Sequence, residues 1–380
     1  MLEKLKRIDW SIVVLLLILM VISTMLVYSA TLNSQIKIPI EKSLLNYALG
    51  FLAFAGVMLI DYRIYAKIHW YLYGFGLVLL VAVLQFGKSL NNARGWFELP
   101  GGFNFQPAEL VKLLIIITLA AFMARREGEK LGFVRDVIPA SLLVFAPFTL
   151  VMIQPDLGNA VIYLVIFAAM LWIGNIKYSH AFIGLAAIVG GLMLFVYLFG
   201  HFHDEIYNYL DARDKSHWVD RIDTFLNPES VDRDKKWQLD HSMTAIGSGG
   251  LFGEGYLKGS SVHNNFVPLT YSDSIFVVVG EEFGFVGSSV LLLLYFLLIY
   301  RLILISIQAQ KPEGSYMIVG IVTMFVFQIF ENIGMLIGIM PLTGITLPFI
   351  SYGGSSLMIN MIGAGIAMSV RIHRDEPAKY

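Results

Sequence analysis

Apolar runs recur along the whole chain, separated by short polar stretches. They fall at roughly residues 10–30, 43–60, 68–87, 106–124, 137–153, 157–174, 179–200, 275–300, 315–340 and 352–370. An apolar run of about 18 or more residues is long enough, as a helix, to cross a hydrocarbon layer of about 30 Å. The fifth and sixth runs are joined only by Gln154-Pro155-Asp156, which predicts a tight helical hairpin. One long polar stretch, residues 201–272, interrupts the pattern. The expectation is an all-α polytopic membrane helix bundle of about ten transmembrane helices with one long outer loop. Such spans must pack together, so residues 1–380 are read as a single domain. The apolar run Ile12–Val27 follows a basic start, is too long for a signal-peptide core and has no evident cleavage site; it is read as a retained first span.

Composition agrees with the pattern. Apolar residues make up 57% of the chain and charged residues 14%, against about 25% charged in soluble domains. Mean hydropathy is +0.70. A net charge of −1 argues against a nucleic-acid partner, and the lack of cysteine excludes disulfide and thiol chemistry. The placement of charge is more informative than its total. An even number of spans puts both termini on one side. With the termini inside, the short inner segments hold fifteen Lys and Arg residues and the short outer loops only four, Lys37, Lys42, Lys88 and Arg94. This bias predicts a multi-pass protein of the cytoplasmic membrane with both termini cytoplasmic. Residues 201–272, Lys88–Phe105 and Pro341–Ile350 then face outward.

The long loop has two parts. Asp204–Asp240 is charged and carries Trp218 and Trp237, as suits a solvated or interfacial segment with short helices on the membrane. Ala245–Gly259, AIGSGGLFGEGYLKG, is rich in glycine and reads on composition as a flexible linker. It is no nucleotide P-loop, because it lacks the G-K-[ST] ending and follows no strand.

An ionisable group inside a span costs about 2.5–3.5 kcal/mol, so each needs a reason. Glu109 and Lys112 in QPAELVK share one helix face. They form either a self-neutralising ion pair or a cation offered to an anionic headgroup. Pro107 suits the first turn of that helix. Asp156 in QPDLG is either the cap of a helix starting at Leu157 or a cavity group. Asp273 in FVPLTYSDSIF, where the long loop meets the eighth span, is either a helix cap, with Ser272 and Ser274 as competitors, or a general base. A carboxylate partly desolvated there would rise toward the pKa of a working base. Glu281 and Glu282 lie deeper and need partners such as Lys112 or water; Glu331 and Asn332 pose the same problem. Met340–Ser356, MPLTGITLPFISYGGSS, predicts a re-entrant loop, because irregular backbone at membrane depth must be buried or line a wet cavity. These residues outline an outward cavity bounded by Arg94, Lys112, Asp156, Asp273 and the loop Ser351, Tyr352, Gly353 and Gly354. It suits a lipid-linked anionic substrate. Whether that substrate is moved or chemically changed stays open on this reasoning.

Five stretches, taken in order, resemble the SEDS family of RodA, FtsW and SpoVE: NNARGW, FQPAELVK, QPDLG, AIGSGGLFGEG through SDSIFVVVGEEFGFVG, and NIGMLIGIMPLTGITLPFISYGGSS. They span Asn91 to Ser356. The short N-terminus, the RIHR ending and GEEFGFVG look closer to RodA. The resemblance implies a peptidoglycan glycosyltransferase serving cell elongation and shape, which joins lipid II units at the outer leaflet and releases undecaprenyl pyrophosphate. The family's essential aspartate maps onto Asp273. Arg94, Glu109 and Lys112 match cavity positions, and Asp156 matches the hairpin aspartate. The resemblance also implies a class B penicillin-binding protein as partner. Three departures stand out: Ser272 and Ser274 flank Asp273 where the family reads T-D-F, His241 replaces a glutamine, and Gly253-Glu254-Gly255 replaces G-K-G. No cofactor is required by sequence. A divalent cation, Mg2+ or Mn2+, at the pyrophosphate is compatible with the reaction, without a dedicated metal cage. The rival readings are a lipid II flippase and a scaffold of the wall-synthesis machinery. Outward clustering of the charges favours the enzyme over the flippase, and a scaffold leaves Asp273 without purpose.

Overall fold

A computed structural model describes residues 6–34, 38–90, 93–99, 103–212, 219, 222–223 and 233–374. Among these, nine helices are long and apolar enough to cross a membrane, and with a tenth, shorter apolar helix of 17 residues, Leu157–Ile173, they follow the expected order. They are α1 (Trp10–Thr31), α2 (Ile40–Leu59), α4 (His69–Phe86), α5 (Pro107–Ala124), α6 (Ile138–Ile153, entered through a π turn), α7 (Leu157–Ile173), α8 (Tyr178–His201), α12 (Ile275–Ile307), α13 (Pro312–Leu336) and α14 (Gly354–Ile372). Short helices α3 (Tyr62–Lys67), α9 (His203–Asp211), α10 (Arg233–Ser248) and α11 (Ser260–His263) join them. Trp218 lies outside the described residues.

Charge explains where the helix ends depart from the hydropathy pattern. α12 runs past Arg301 to Ile307 because the guanidinium meets Asp9 at 2.6 Å. α13 starts early at Pro312, whose missing N–H costs nothing in a first turn, and stops at Leu336. The termini come together: Arg371 Nε donates to the Arg7 carbonyl at 3.1 Å, and Arg7 Nη1 to that of Ile372 at 3.2 Å.

Three helices form the centre. The buried share of the most apolar window is 78% in α5, 61% in α13 and 83% in α14, against 6% in α8. Only Phe199 of α8 is buried, so that helix lies on the outside of the bundle.

The glycine-rich segment is docked, which corrects the flexible-linker reading. Its first residues belong to α10. The remainder fills a break in α12 at Gly284, where φ is 62° and ψ is −155°. The break frees backbone groups on α12, and the segment supplies their partners. Glu254 N–H donates to the Glu281 carbonyl at 2.9 Å and Gly255 N–H to that of Glu282 at 3.0 Å. In return Phe285 and Val286 donate to the carbonyls of Gly250 and Leu251 at 2.9 and 3.0 Å. The approach is so close that a Cβ on Gly253, at φ +78°, would sit 2.2 Å from the Glu282 carbonyl oxygen.

Met340–Gly353 is irregular, and its residues Ile345 and Leu347–Ser351 are buried, as a re-entrant loop requires. Its carbonyls are met by side chains of four helices. Ser23 donates to Ile350 at 2.6 Å, Tyr295 to Pro348 at 2.5 Å, Asn332 to Ile345 at 2.6 Å and Tyr47 to Phe349. Beside it, Lys88–Phe105 forms a small antiparallel sheet that the helical pattern had not suggested: β1 (Lys88–Leu90), β2 (Ala93–Leu99) and β3 (Phe103–Phe105). Its third strand lies against the start of α14, where a Cβ on Gly354 would meet the Phe103 ring at 2.6 Å.

Gly253→Ala should undock the segment and lower stability by about 2 kcal/mol or more, since both φ and space oppose a side chain. Gly247→Ala, inside α10 with nothing within 4 Å of its Cβ, should be neutral or raise stability by about 0.5 kcal/mol. Thermal unfolding of both variants in one detergent checks the contrast.

Candidate active site

Asp273 stands one residue ahead of Ser274, the residue that precedes α12 and whose own side chain makes no cap bond. The Asp273 carboxyl is half-buried at the end of the bundle opposite the termini. Its backbone carbonyl accepts from Asn332 Nδ2 at 2.7 Å, the same amide that holds Ile345. One side-chain amide thus ties the start of α12 to the re-entrant loop. Gly344 of that loop, at φ +75°, comes so near that its Cβ would lie 3.5 Å from Asp273 Oδ2. Tyr271 and Tyr352 stack edge to face at 6.3 Å, and Tyr352 N–H donates to the Tyr271 carbonyl at 2.9 Å. Burial raises the pKa of the Tyr271 phenol, and the charge of Asp273 adds to the effect. Both phenols stay protonated near neutrality and can donate hydrogen bonds to a ligand beside the carboxylate.

A second polar cluster lies behind the first. Lys112 and Glu109 form an ion pair at 2.8 Å, with the lysine wholly buried. Of the two readings open for this pair, the geometry shows the self-neutralising one. Glu331, also buried, lies within electrostatic reach of Lys112, Asp156 and Glu109, and beside Thr343. Three carboxyl groups thus share one ammonium. Asp156 does cap α7, accepting from Asn159 N–H at 3.1 Å. It also accepts from the Asn159 and Gln106 side-chain amides at 2.8 and 2.7 Å. Burial outweighs these bonds and moves the Asp156 carboxyl above its ordinary pKa. Gln106 closes the circuit, because its backbone N–H donates to Ser355 Oγ at 3.1 Å, at the end of the SYGG loop.

The structure therefore brings Glu109, Lys112 and Asp156 together, and sets Asp273 beside the loop that leads through Ser351, Tyr352, Gly353 and Gly354 into α14. Ser351 turns inward: its Oγ accepts from Leu347 N–H at 2.8 Å, so it shapes the loop. Arg94 lies in β2, paired in register with Ser89; its side chain is outside the described residues. Glu281 and Glu282 do not use Lys112, contrary to expectation. Glu281 accepts from the backbone of Ser261 and Val262 at 2.6 and 3.0 Å, capping α11, and Glu282 meets Ser29 at 2.5 Å and His263 at 3.5 Å. Gln106, Asn159 and Tyr271 escaped the sequence reading, although each lies within two or three residues of an acid that it singled out.

The profile of the family described as "Cell cycle protein", which groups FtsW, RodA and SpoVE, matches residues 4–376. Peptidoglycan glycosyltransferase MrdB of Escherichia coli K12 is 34% identical, over 97% of this chain and 94% of its own length. Stage V sporulation protein E of Bacillus subtilis is 33% identical, over 95% and 96%. These identities do not separate the branches of the family. Among solved structures, a chain of a peptidoglycan synthase complex that coordinates polymerization and crosslinking superposes with a TM-score of 0.78 at 27% identity, covering 97% of this chain and 99% of that one. The rod shape determining protein RodA of Thermus thermophilus superposes with a TM-score of 0.70 at 28% identity, covering 97% and 98%.

Lys112→Met should destabilise the fold by about 3–5 kcal/mol, because Glu109 and its neighbours lose their buried counter-ion. The double variant Glu109→Gln with Lys112→Met should recover much of that loss. Unfolding midpoints of the two purified variants check the order.

Proposed function

The chain belongs to the FtsW, RodA and SpoVE family and is a peptidoglycan glycosyltransferase; from that premise we propose that it polymerises lipid II at the outer face of the cytoplasmic membrane with Asp273 as general base. In this reading Asp273 takes the proton from the acceptor sugar hydroxyl. That oxygen attacks the anomeric carbon of the donor with inversion, the bond to the pyrophosphate breaks, and undecaprenyl pyrophosphate leaves. Base assistance of this kind is worth about 10²–10⁴-fold. The observation that carries the reading is the meeting, at one end of a greasy bundle, of a half-buried carboxylate with two protonated phenols and Gly344 of the re-entrant loop.

Tyr271 and Tyr352 would orient the sugars, and Arg94 would offset charge growing on the leaving group, an electrostatic role. Lys112, wholly buried against Glu109, acts as a positioning residue that holds the α5, α7 and α13 ends behind the site. A Mg2+ or Mn2+ ion would travel with the pyrophosphate. Among the described residues no cluster of three His, Asp or Glu groups is placed to hold one, so no step passes through it. The partner is a class B penicillin-binding protein, which cross-links what this chain polymerises; the similarity to a chain of a synthase complex supports this assignment.

Orientation is tested with single cysteines in this cysteine-free chain. In intact cells an impermeant maleimide should label Asp240→Cys but not Glu129→Cys, both at exposed positions. The reverse pattern removes the outer-face assignment. For the chemistry, Asp273→Asn should lower polymerisation of labelled lipid II by about two to four decades while the protein stays folded and partner-bound. Asp273→Glu should rescue little, since about an ångström of misplacement costs roughly 10² in rate. Glycan chains of normal length and yield from a well-expressed Asp273→Asn protein would return the case to the flippase.

A further inference from the structure

A cavity of about 540 Å3 opens at the other end of the bundle, beside the termini. It lies between α3, the first turn of α4, the last turn of α5 and the first turn of α13. Arg63, Lys67, Arg125 and Lys311 line it, together with His69 and Trp70. Asp61 and Glu313 are the carboxylates in its wall, and Asp61 is already committed to Arg63 at 2.9 Å. Four cations against two carboxylates leave a surplus of positive charge. Two long helices, α4 and α13, also begin at this cavity, and helix N-termini favour anions.

His69 adds an independent observation. It is only 4% exposed, and its Nε2 lies 3.2 Å from Arg125 Nη2. A guanidinium can only donate, so Nε2 accepts and the proton of the neutral ring sits on Nδ1. That buried N–H has no acceptor among the described residues. A buried donor left without a partner is costly, and an acceptor from outside the chain would remove the cost. The cavity also sits where the spans end. Trp70 is 49% exposed and Tyr71 82% exposed at the same level, the position of an aromatic belt at a membrane interface.

We infer that this cavity binds the phosphodiester headgroup of an anionic phospholipid, at the end of the bundle remote from Asp273. The phosphate would lie between Arg125 and Lys311 and accept from His69, with Trp70 at the level of the glycerol and the acyl chains running along the outside of α4. Lipid is the source favoured over a free phosphate compound, because Trp70 in the cavity wall and Tyr71 beside it are exposed at the level where the spans end, as in an aromatic belt.

The test uses the full chain purified in neutral detergent, with bound lipid read by native mass spectrometry. Phosphatidylglycerol should be retained well above phosphatidylcholine. Lys311→Gln and Arg125→Gln should each lower phosphatidylglycerol retention about fivefold, the effect of one cation near an anionic headgroup. Lys311 is exposed, so its replacement leaves the packing intact. Lys88→Gln, at the opposite end, should change nothing. Equal retention of the two lipids, or undiminished retention in both cavity variants, overturns the inference. Displacement of the lipid by soluble glycerol 3-phosphate at matched concentration overturns the assignment to a lipid. The experiment needs no polymerisation, so its outcome is separate from the fate of Asp273.

Discussion

Hydrocarbon offers no hydrogen bonds, so every peptide group that leaves helical geometry inside the membrane must find its partner within the protein. Among the described residues, helical geometry is left in the apolar layer at Gly284 and in Met340–Gly353. Each departure is met in kind. The break in α12 exchanges backbone hydrogen bonds with the glycine-rich segment in both directions. The re-entrant loop is held by hydroxyl and amide groups that α1, α2, α12 and α13 reach into it. The glycine of one segment and the side-chain hydroxyls serving the other answer the same shortage of solvent.

The candidate site exists because these two irregular segments end next to each other. The docked segment leads through α11 to Tyr271 and Asp273, while the loop delivers Gly344 and Tyr352 to the same place. Asn332 spans the join, donating to the Asp273 carbonyl and to Ile345. Charge is handled by a similar economy. Glu109, Asp156 and Glu331 gather around one lysine, and Glu281 spends its charge on the backbone amides that start α11. Buried acids therefore hold the frame, and the half-buried Asp273 is left at the surface of that frame.

The two ends of the bundle differ in kind. At one, irregular backbone and aromatic rings surround a carboxylate. At the other, regular helix ends, Arg–Asp pairs and the basic cavity meet both termini. Placing arginine and lysine at helix ends lets their stems lie along apolar surface while the charge reaches water or headgroups.

Period and hydropathy sufficed for the helices, because an apolar run of about 20 residues in lipid has little choice but to be helical. The even number of spans set both termini on one side, and the meeting of Arg7 with Arg371 agrees with that arrangement. The acids at 109, 156, 273 and 331 were legible one by one, since each is expensive at its depth. What each acid touches was not legible. Whether Lys112 faced a ligand or Glu109, whether Glu281 met a lysine or a helix start, and whether the glycines formed a tether or a docked plug all depended on contacts between distant segments. Local sequence records what a residue costs in the membrane; only the packed bundle decides which partner offsets that cost, because the partner comes from a helix far away in the chain.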